Sequence, residues 1–342
     1  MTRTLCLLGD INLKGVAEPD AVFDLVRPRL ADADLAFANL ECCLFDDAAS
    51  AGEQRGFYVP TRFASALKAA GLHAVGQANN VTIGREAVAS SLAALDQAGI
   101  ATIGAGLDAT AAYRPLIIER DGLRYGILQR TAVYWPDGHE AELGKPGVAV
   151  IKAHTAYRPR LEQQAARTRP GVPPEVMTFA DPASLAECSA AIAALRQQAD
   201  IVIASFHWGY RAEVLSYQRE FAHTAIAAGA DLVFGHGPHM ILPIELHAGR
   251  AIIYGCGNFS FQYAHDSALH DDWTGMLLRI PIRDGALQAI EIAFVTRNAE
   301  SQTVPRPVAD LPLERDRLIA ASARLGARLQ AEGELLRLQL KP

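Results

Sequence analysis

The stretch GADLVFGHGPHMILPIE (229–245) ends an apolar run on His236 and His239, with Gly237 and Pro238 between them. A glycine–proline turn cannot be helical, so the backbone itself must aim both rings. Gly235 and Gly237 permit a sharp turn, and Pro238 stiffens it. Neutral imidazoles ligate divalent metals and move protons near neutral pH. Similar polar groups follow other apolar runs: Asp10 and Asn12 after LCLLG, Asn39 and Glu41 after ADLAFA, Asn79 and Asn80 after HAVGQA, and His207 after IVIASF. Each has a plainer reading. Gly-Asp is a common turn, Asn79-Asn80 suits a cap before a helix, and His207 beside Trp208 suits a hydrogen-bonded core histidine. Their recurrence at strand-like ends is what groups them.

A pocket holding Asp10, Glu41 and three imidazoles would cost roughly several kcal/mol of desolvation per unpaired carboxylate. One or two divalent cations remove that cost by making the groups ligands. Mixed oxygen and nitrogen donors suit Zn, Mn or Fe, and the lack of thiolate argues against a structural zinc.

Such residues need rigid supports. TLCLLG (4–9), ADLAFAN (33–39), LHAVGQAN (72–79) and GIATIGA (99–105) read as strands. Between them, 19–33, 60–71 and 85–99 carry apolar residues at helical spacing, which predicts a parallel sheet with right-handed crossovers. In such sheets, ligands bind beyond the carboxyl ends of strands. RPLIIERDGLRYGILQR (114–130) predicts a hairpin turning at Asp121-Gly122. Helices are expected at 182–199 and 216–229, with a strand at 199–209. The proline-rich region 131–180 reads as an insertion or lid in a single domain over 1–310, and 311–342 as an amphipathic helical extension.

The 342 residues carry 32 basic and 38 acidic side chains, net −6, which gives no support for nucleic-acid binding. No apolar stretch approaches the roughly 18 residues that span a bilayer, and the N-terminal run lacks the length of a signal peptide. Five cysteines without a CxxC pair suit small buried hydrophobes in a reducing compartment, so a cytoplasmic protein is expected.

Taken together, LLGDINL, FANLECCL, GQANNVTIG, ASFHWGYRAE, GADLVFGHGPHMILPIE and IIYGCGNFSF resemble the CapA/PgsA-like (PGA_cap) family. That family is associated with bacterial poly-γ-glutamate capsule synthesis and related to the calcineurin-like metallophosphoesterases. The resemblance implies an α/β fold, a metallophosphoesterase-like four-layer αββα sandwich. It implies metal ligation by Asp10, Glu41, Asn80, His207, His236 and His239, with Glu41 bridging, and catalytic roles for His207, His239 and Asn80. Asn12, Asn39, Asn79 and Asn258 would support the ligands from behind. The sequence departs from the family at Val81, where Asn-Asn is followed by histidine. In the phosphoesterase relatives that histidine assists the leaving group. His139, His265, His270, Asp271 and Asp272 are the nearby groups that could replace it, although FQYAHDSALHDDW (261–273) also suits a polar surface loop.

The expected activity is therefore metal-dependent hydrolysis of an amide, such as a γ-glutamyl amide, in a small molecule or peptide bearing carboxylates. Arg158, Arg160, Trp208 and Arg211 are the expected substrate contacts, and Arg167 and Arg169 further forked donors or solvated surface. The alternatives are a phosphomonoesterase or phosphodiesterase, which Val81 disfavours, and a non-catalytic accessory protein of polymer synthesis.

Overall fold

The computed structural model describes residues 2–48, 55–264, 268–270 and 272–340. The apolar runs become strands because both of their faces are covered. In Arg3–Ile11, Leu5 and Leu7 point to one core and Cys6 and Leu8 to another, which explains an unbroken hydrophobic run. Among the described residues, the larger sheet has eleven strands. Its main path runs Gln330–Glu332, Leu335–Gln339, Ala289–Arg297, Gly275–Arg283, Arg3–Ile11, Leu35–Leu40, Ala74–Gly76 and Ala101–Ile103. The second sheet has six, ordered Ile244–His247, Arg250–Ile253, Leu232–His236, Ile201–His207, Leu123–Thr131 and Leu116–Arg120.

Leu5, Leu7 and Phe37 of the first sheet pack on Ile127, Ile203 and Phe234 of the second, and the Phe37 and Phe234 rings meet edge to face at 6.3 Å. Helices Phe63–Ala69 and Arg85–Gln97 cover the outer face of the first sheet, through Phe63, Leu67 and Leu95. Helices Pro182–Arg196 and Ser216–Ala227 cover the second, through Ile192, Leu195 and Phe221. The result is the four-layer αββα sandwich, with two mixed sheets in place of one parallel sheet.

Registers bring the polar strand ends level. Asp10 lies beside Asn39 and Asn258, Asn39 beside Gly76, and His207 beside both His236 and Thr131. Both sheets therefore present their polar ends at one rim of the sandwich.

Three local expectations are corrected. Residues 19–33 form turns and a short 3-10 segment, Arg27–Arg29, because Pro28 lacks a donor and restricts Arg27. The C-terminal region is helical only over Pro312–Ala323. Beyond it, Leu336, Leu338 and Leu340 alternate into the core, and the hairpin Gln330–Glu332/Leu335–Gln339 joins the larger sheet. The region 131–180 has two parts. Its first part packs into the body, with Val148, Val150 and Ile151 buried and Thr131 bridged to Val150. Its second is the hairpin Ala153–Arg158/Glu175–Ala180, tied to an outer helix where the Ala180 amide donates to Glu220 Oε2 at 2.7 Å.

Candidate metal centre

Asp10 is fully buried at the end of its strand. Asn39 Nδ2 donates to Asp10 Oδ1 at 2.8 Å, and the Gly237 amide donates to Oδ2 at 3.0 Å. Around it stand three imidazoles: His236 Nδ1 at 3.6 Å from Oδ1, His239 Nδ1 at 3.4 Å from Oδ2, and His207 Nδ1 at 3.2 Å from His236 Nδ1. Glu41 completes the group, its Oε1 lying 3.6 Å from His239 Nε2 and 3.9 Å from His207 Nε2.

The turn between the histidines divides its labour differently from the sequence expectation. Gly237 adopts φ +111°, as a turn requires, whereas Gly235 is a strand residue kept small by its neighbours. A Cβ at Gly235 would lie 2.6 Å from Trp208 Nε1 and 2.5 Å from the Tyr254 carbonyl oxygen. His239 itself takes φ +58°, a left-handed conformation uncommon outside glycine, and so swings back over Asp10.

The remote nitrogens fix how the rings are presented. His236 Nε2 meets Ser205 Oγ at 2.9 Å, and His207 Nε2 meets Asn80 Oδ1 at 2.9 Å. With Nε2 of His207 donating to the amide oxygen, its Nδ1 keeps a lone pair directed at the Asp10 side. Asn39 is steadied in turn: its Oδ1 accepts from Gln129 Nε2 at 3.2 Å and Asn79 Nδ2 at 3.3 Å. Asn79 also turns the chain, its Oδ1 accepting from the Val81 and Thr82 amides. Asn258 Oδ1 lies 3.0 Å from His239 Nδ1. Asn12 stands apart from the carboxylates, bonding the Lys14 amide and the Tyr263 carbonyl.

Electrostatics separate the members. Burial, opposed by Asp10, holds His207 well below the ordinary imidazole range and His236 down at about 4. Burial also pushes Glu41 up to about 8, against the charge of His239 and with that of Asp10. Burial would lower His239, but Glu41 and then Asp10 outweigh it and carry the ring to about 10. Asp10 sits well below the usual carboxylate range; burial is outweighed by its bond to His239 and the surrounding imidazoles. From the protein groups alone, Asp10 is held ionised, the carboxylates beside His239 favour its cation, and burial works against ionisation of Glu41.

Three observations fit these residues to divalent cations. Glu41 Oε2 is buried and has no hydrogen-bond partner among the described residues. Two imidazole Nδ1 atoms face each other at 3.2 Å while their Nε2 atoms are occupied. Asp10, His207 and His236 offer donor atoms within 4.8 Å of one another, and so do Asp10, Glu41 and His239. Asp10, rather than Glu41, is the residue the two triads share.

The other expected residues fall outside this cluster. Trp208 is a correction as a substrate contact: it is fully buried, stacked on Phe206 at 4.8 Å, and its indole donates to the Tyr254 carbonyl. Arg158 is exposed and paired with Glu175, and Arg211 is exposed with its guanidinium 5.0 Å over the Tyr210 ring. Arg160 is half-buried just past the 153–158 strand, and Arg167 and Arg169 are exposed later in the same connection. Val81 is fully buried, packed in the core under the first sheet. His139 does not fill its place, because both ring nitrogens are engaged with backbone, Nδ1 with the Trp135 amide and Nε2 with the Thr82 carbonyl. His270 and Asp272 are exposed, and His265 and Asp271 lie outside the described residues.

Ser205 and Gln129 were not expected. Ser205 had a signal, standing two before His207 and hence on the same face of the strand. Gln129 had none, since its strand reads as half of a hairpin.

Comparison with known proteins gives the family and the fold. The family model "Bacterial capsule synthesis protein PGA_cap" matches residues 4–263. A probable polyglutamine synthesis accessory protein of Mycobacterium tuberculosis is 31% identical over 238 residues, 67% of this chain and 56% of that protein. The chain therefore matches little more than half the length of that relative. The PGA biosynthesis protein CapA of Bacillus subtilis is 40% identical over 84 residues, 23% of this chain and 22% of that one. A hypothetical protein of Thermus thermophilus shares the fold at TM-score 0.50 and 16% identity, covering 85% of this chain and 98% of that structure. No helix among the described residues is long and apolar enough to cross a membrane.

Proposed function

The chain belongs to the bacterial capsule synthesis PGA_cap family, and from that premise we propose that it is a metal-dependent hydrolase of an amide, γ-glutamyl in particular, within an acidic peptide or biosynthetic intermediate. The observation that carries the reading is the pair of donor triads sharing Asp10 at the junction of two sheets. Asp10, His207 and His236 would hold one cation, and Asp10, Glu41 and His239 a second, with Asn80 beside them. A bound divalent cation of the Zn, Mn or Fe class supplies Lewis acidity and makes water a nucleophile near neutral pH.

The chain's own groups do the rest. Asn80 holds the His207 ring in one tautomer, Ser205 fixes the orientation of the His236 ring, and Asn39 orients the Asp10 carboxylate. His239, 36% exposed, is the member of the cluster that an incoming substrate meets first. Arg211, on the loop after His207, offers a forked donor to a substrate carboxylate, whereas Arg158 is committed to Glu175.

Val81 supports an amide over a phosphate ester, because its side chain is buried in the core and His139 is already engaged. Relatives named for polyglutamine synthesis and PGA biosynthesis direct the substrate choice toward glutamate-containing chains. The word accessory in one such name favours a second reading, polymer binding without cleavage. A panel of γ-glutamyl amides, α-peptide amides and a chromogenic phosphate ester, assayed with and without chelator, tests the proposal. Chelator-sensitive γ-glutamyl turnover that Asp10→Asn abolishes supports hydrolysis. Polyglutamate binding without turnover establishes the accessory reading instead.

A further inference from the structure

A second group of metal-ligating side chains lies away from the rim. Strand Ile244–His247 sends Ile244 and Leu246 into the core between the sheets, so Glu245 and His247 share its opposite face. Against that face lies helix Ser216–Ala227, which contributes His223. His223 Nε2 is 2.9 Å and His247 Nδ1 3.9 Å from Glu245 Oε1, and the two imidazoles stack in parallel with centroids 3.8 Å apart. One donor atom from each of the three residues lies within 4.8 Å of the others.

The carboxylate is held in a single orientation. Its other oxygen, Oε2, accepts the Tyr254 hydroxyl at 2.6 Å and lies 3.6 Å from Arg219, which turns Oε1 toward both rings. Supporting bonds of this kind are what position a ligand carboxylate. The Glu245 side chain is 11% exposed, while the His223 and His247 side chains are 35% and 37% exposed, so an ion can reach the group from solvent and the rings can tilt out of their stack.

The strand registers separate this group from the rim. Glu245 pairs with Ile252, His247 pairs with Arg250, and Leu232 pairs with Ala251, whereas His236 lies at the far end of its strand. The separation along the strands is about 10 Å or more at roughly 3.3 Å per residue.

We propose that His223, Glu245 and His247 form a second metal site, distinct from the Asp10 cluster, which takes one ion of the zinc class on two imidazoles and one carboxylate oxygen. Two histidines and a glutamate are a recurrent three-residue zinc set that leaves a coordination position open to water or a further ligand. Arg219 adds positive charge beside Oε2, and neutral imidazoles with a single carboxylate give a site of modest affinity.

The test is zinc titration of the untagged, chelator-stripped full chain, compared with His223→Ala/His247→Ala. The native protein is expected to bind one zinc per chain more than the variant, or to lose at least tenfold affinity for one equivalent in it. Equal stoichiometry and equal affinity in the two proteins overturn the proposal. Should the double variant unfold, anomalous scattering at the zinc edge from crystals of the native protein decides. A peak between His223 Nε2 and Glu245 Oε1 supports the site, and density at the Asp10 cluster alone overturns it. Loss of the Asp10 cluster's activity does not enter either readout.

Discussion

Replacing Glu41 by Gln should stabilise the chelator-treated protein while weakening its response to metal. Glu41 is buried with one oxygen unpartnered, and its carboxyl is pushed from an ordinary 4.5 to about 8. A carboxyl raised in the folded state keeps a proton that the unfolded chain releases, so its cost is absent below the unfolded value and grows as pH rises toward the folded one. At pH 7 that cost is up to about 3 kcal/mol, and glutamine, which has the same shape without the proton equilibrium, removes it. One kcal/mol moves the midpoint by about 2 °C in a chain of this size, giving a rise of up to about 6 °C in EDTA. The rise should shrink as pH falls toward 5.

Metal reverses the comparison. At a concentration about 100 times the dissociation constant, binding stabilises the native protein by about 2.7 kcal/mol, and a tenfold loss of affinity in the variant cuts this to about 1.4 kcal/mol. Melting curves in EDTA and in Mn²⁺ or Zn²⁺, recorded at pH 5 and pH 7, read both effects. A variant that melts lower in EDTA at pH 7, or whose metal-induced shift equals that of the native protein, refutes the placement of Glu41 as a ligand.

Three further outcomes follow from the geometry. Ser205→Ala removes the partner that orients the His236 ring and should lower metal affinity by about 10- to 100-fold at a stability cost near 1 kcal/mol, read by metal titration beside urea unfolding. Trp208→Ala should cost about 3–5 kcal/mol in urea unfolding because the indole is core, while KM for any substrate the folded variant turns over stays unchanged. His73, whose Nδ1 accepts the Ala36 amide, is held at about 4 by burial and by the nearby charges of Arg120 and Lys68. Its folded value is depressed, so its contribution is present above about pH 6.5 and is lost as pH falls toward 4; His73→Gln should flatten urea-unfolding stability across that window.

Much of the rim was legible before the fold. Polar groups following apolar runs at Asp10, Asn39, His207 and His236 mark strand ends, and parallel registers do place them level. The pattern failed where one residue type serves two periods. LLRLQ near the C-terminus suits a helix by composition, but Leu336, Leu338 and Leu340 alternate as a strand and gain a place in the larger sheet. Trp208 misled because adjacency to His207 in a strand means the opposite face, and that face lies under helices. Gln129 depends on pairing between distant strands, and the Glu245 group on a helix packed over its strand; local spacing encodes neither.

The central claim is that divalent ions sit where the two sheets meet. Anomalous diffraction at the Mn, Fe and Zn edges from crystals of the native protein tests it most directly. The account predicts one or two peaks within ligand distance of Asp10, one flanked by His207 and His236 and the other by Glu41 and His239. Crystals grown with those metals at saturating concentration that show no peak within 3 Å of the Asp10 carboxylate, roughly the limit for direct ligation, would contradict it.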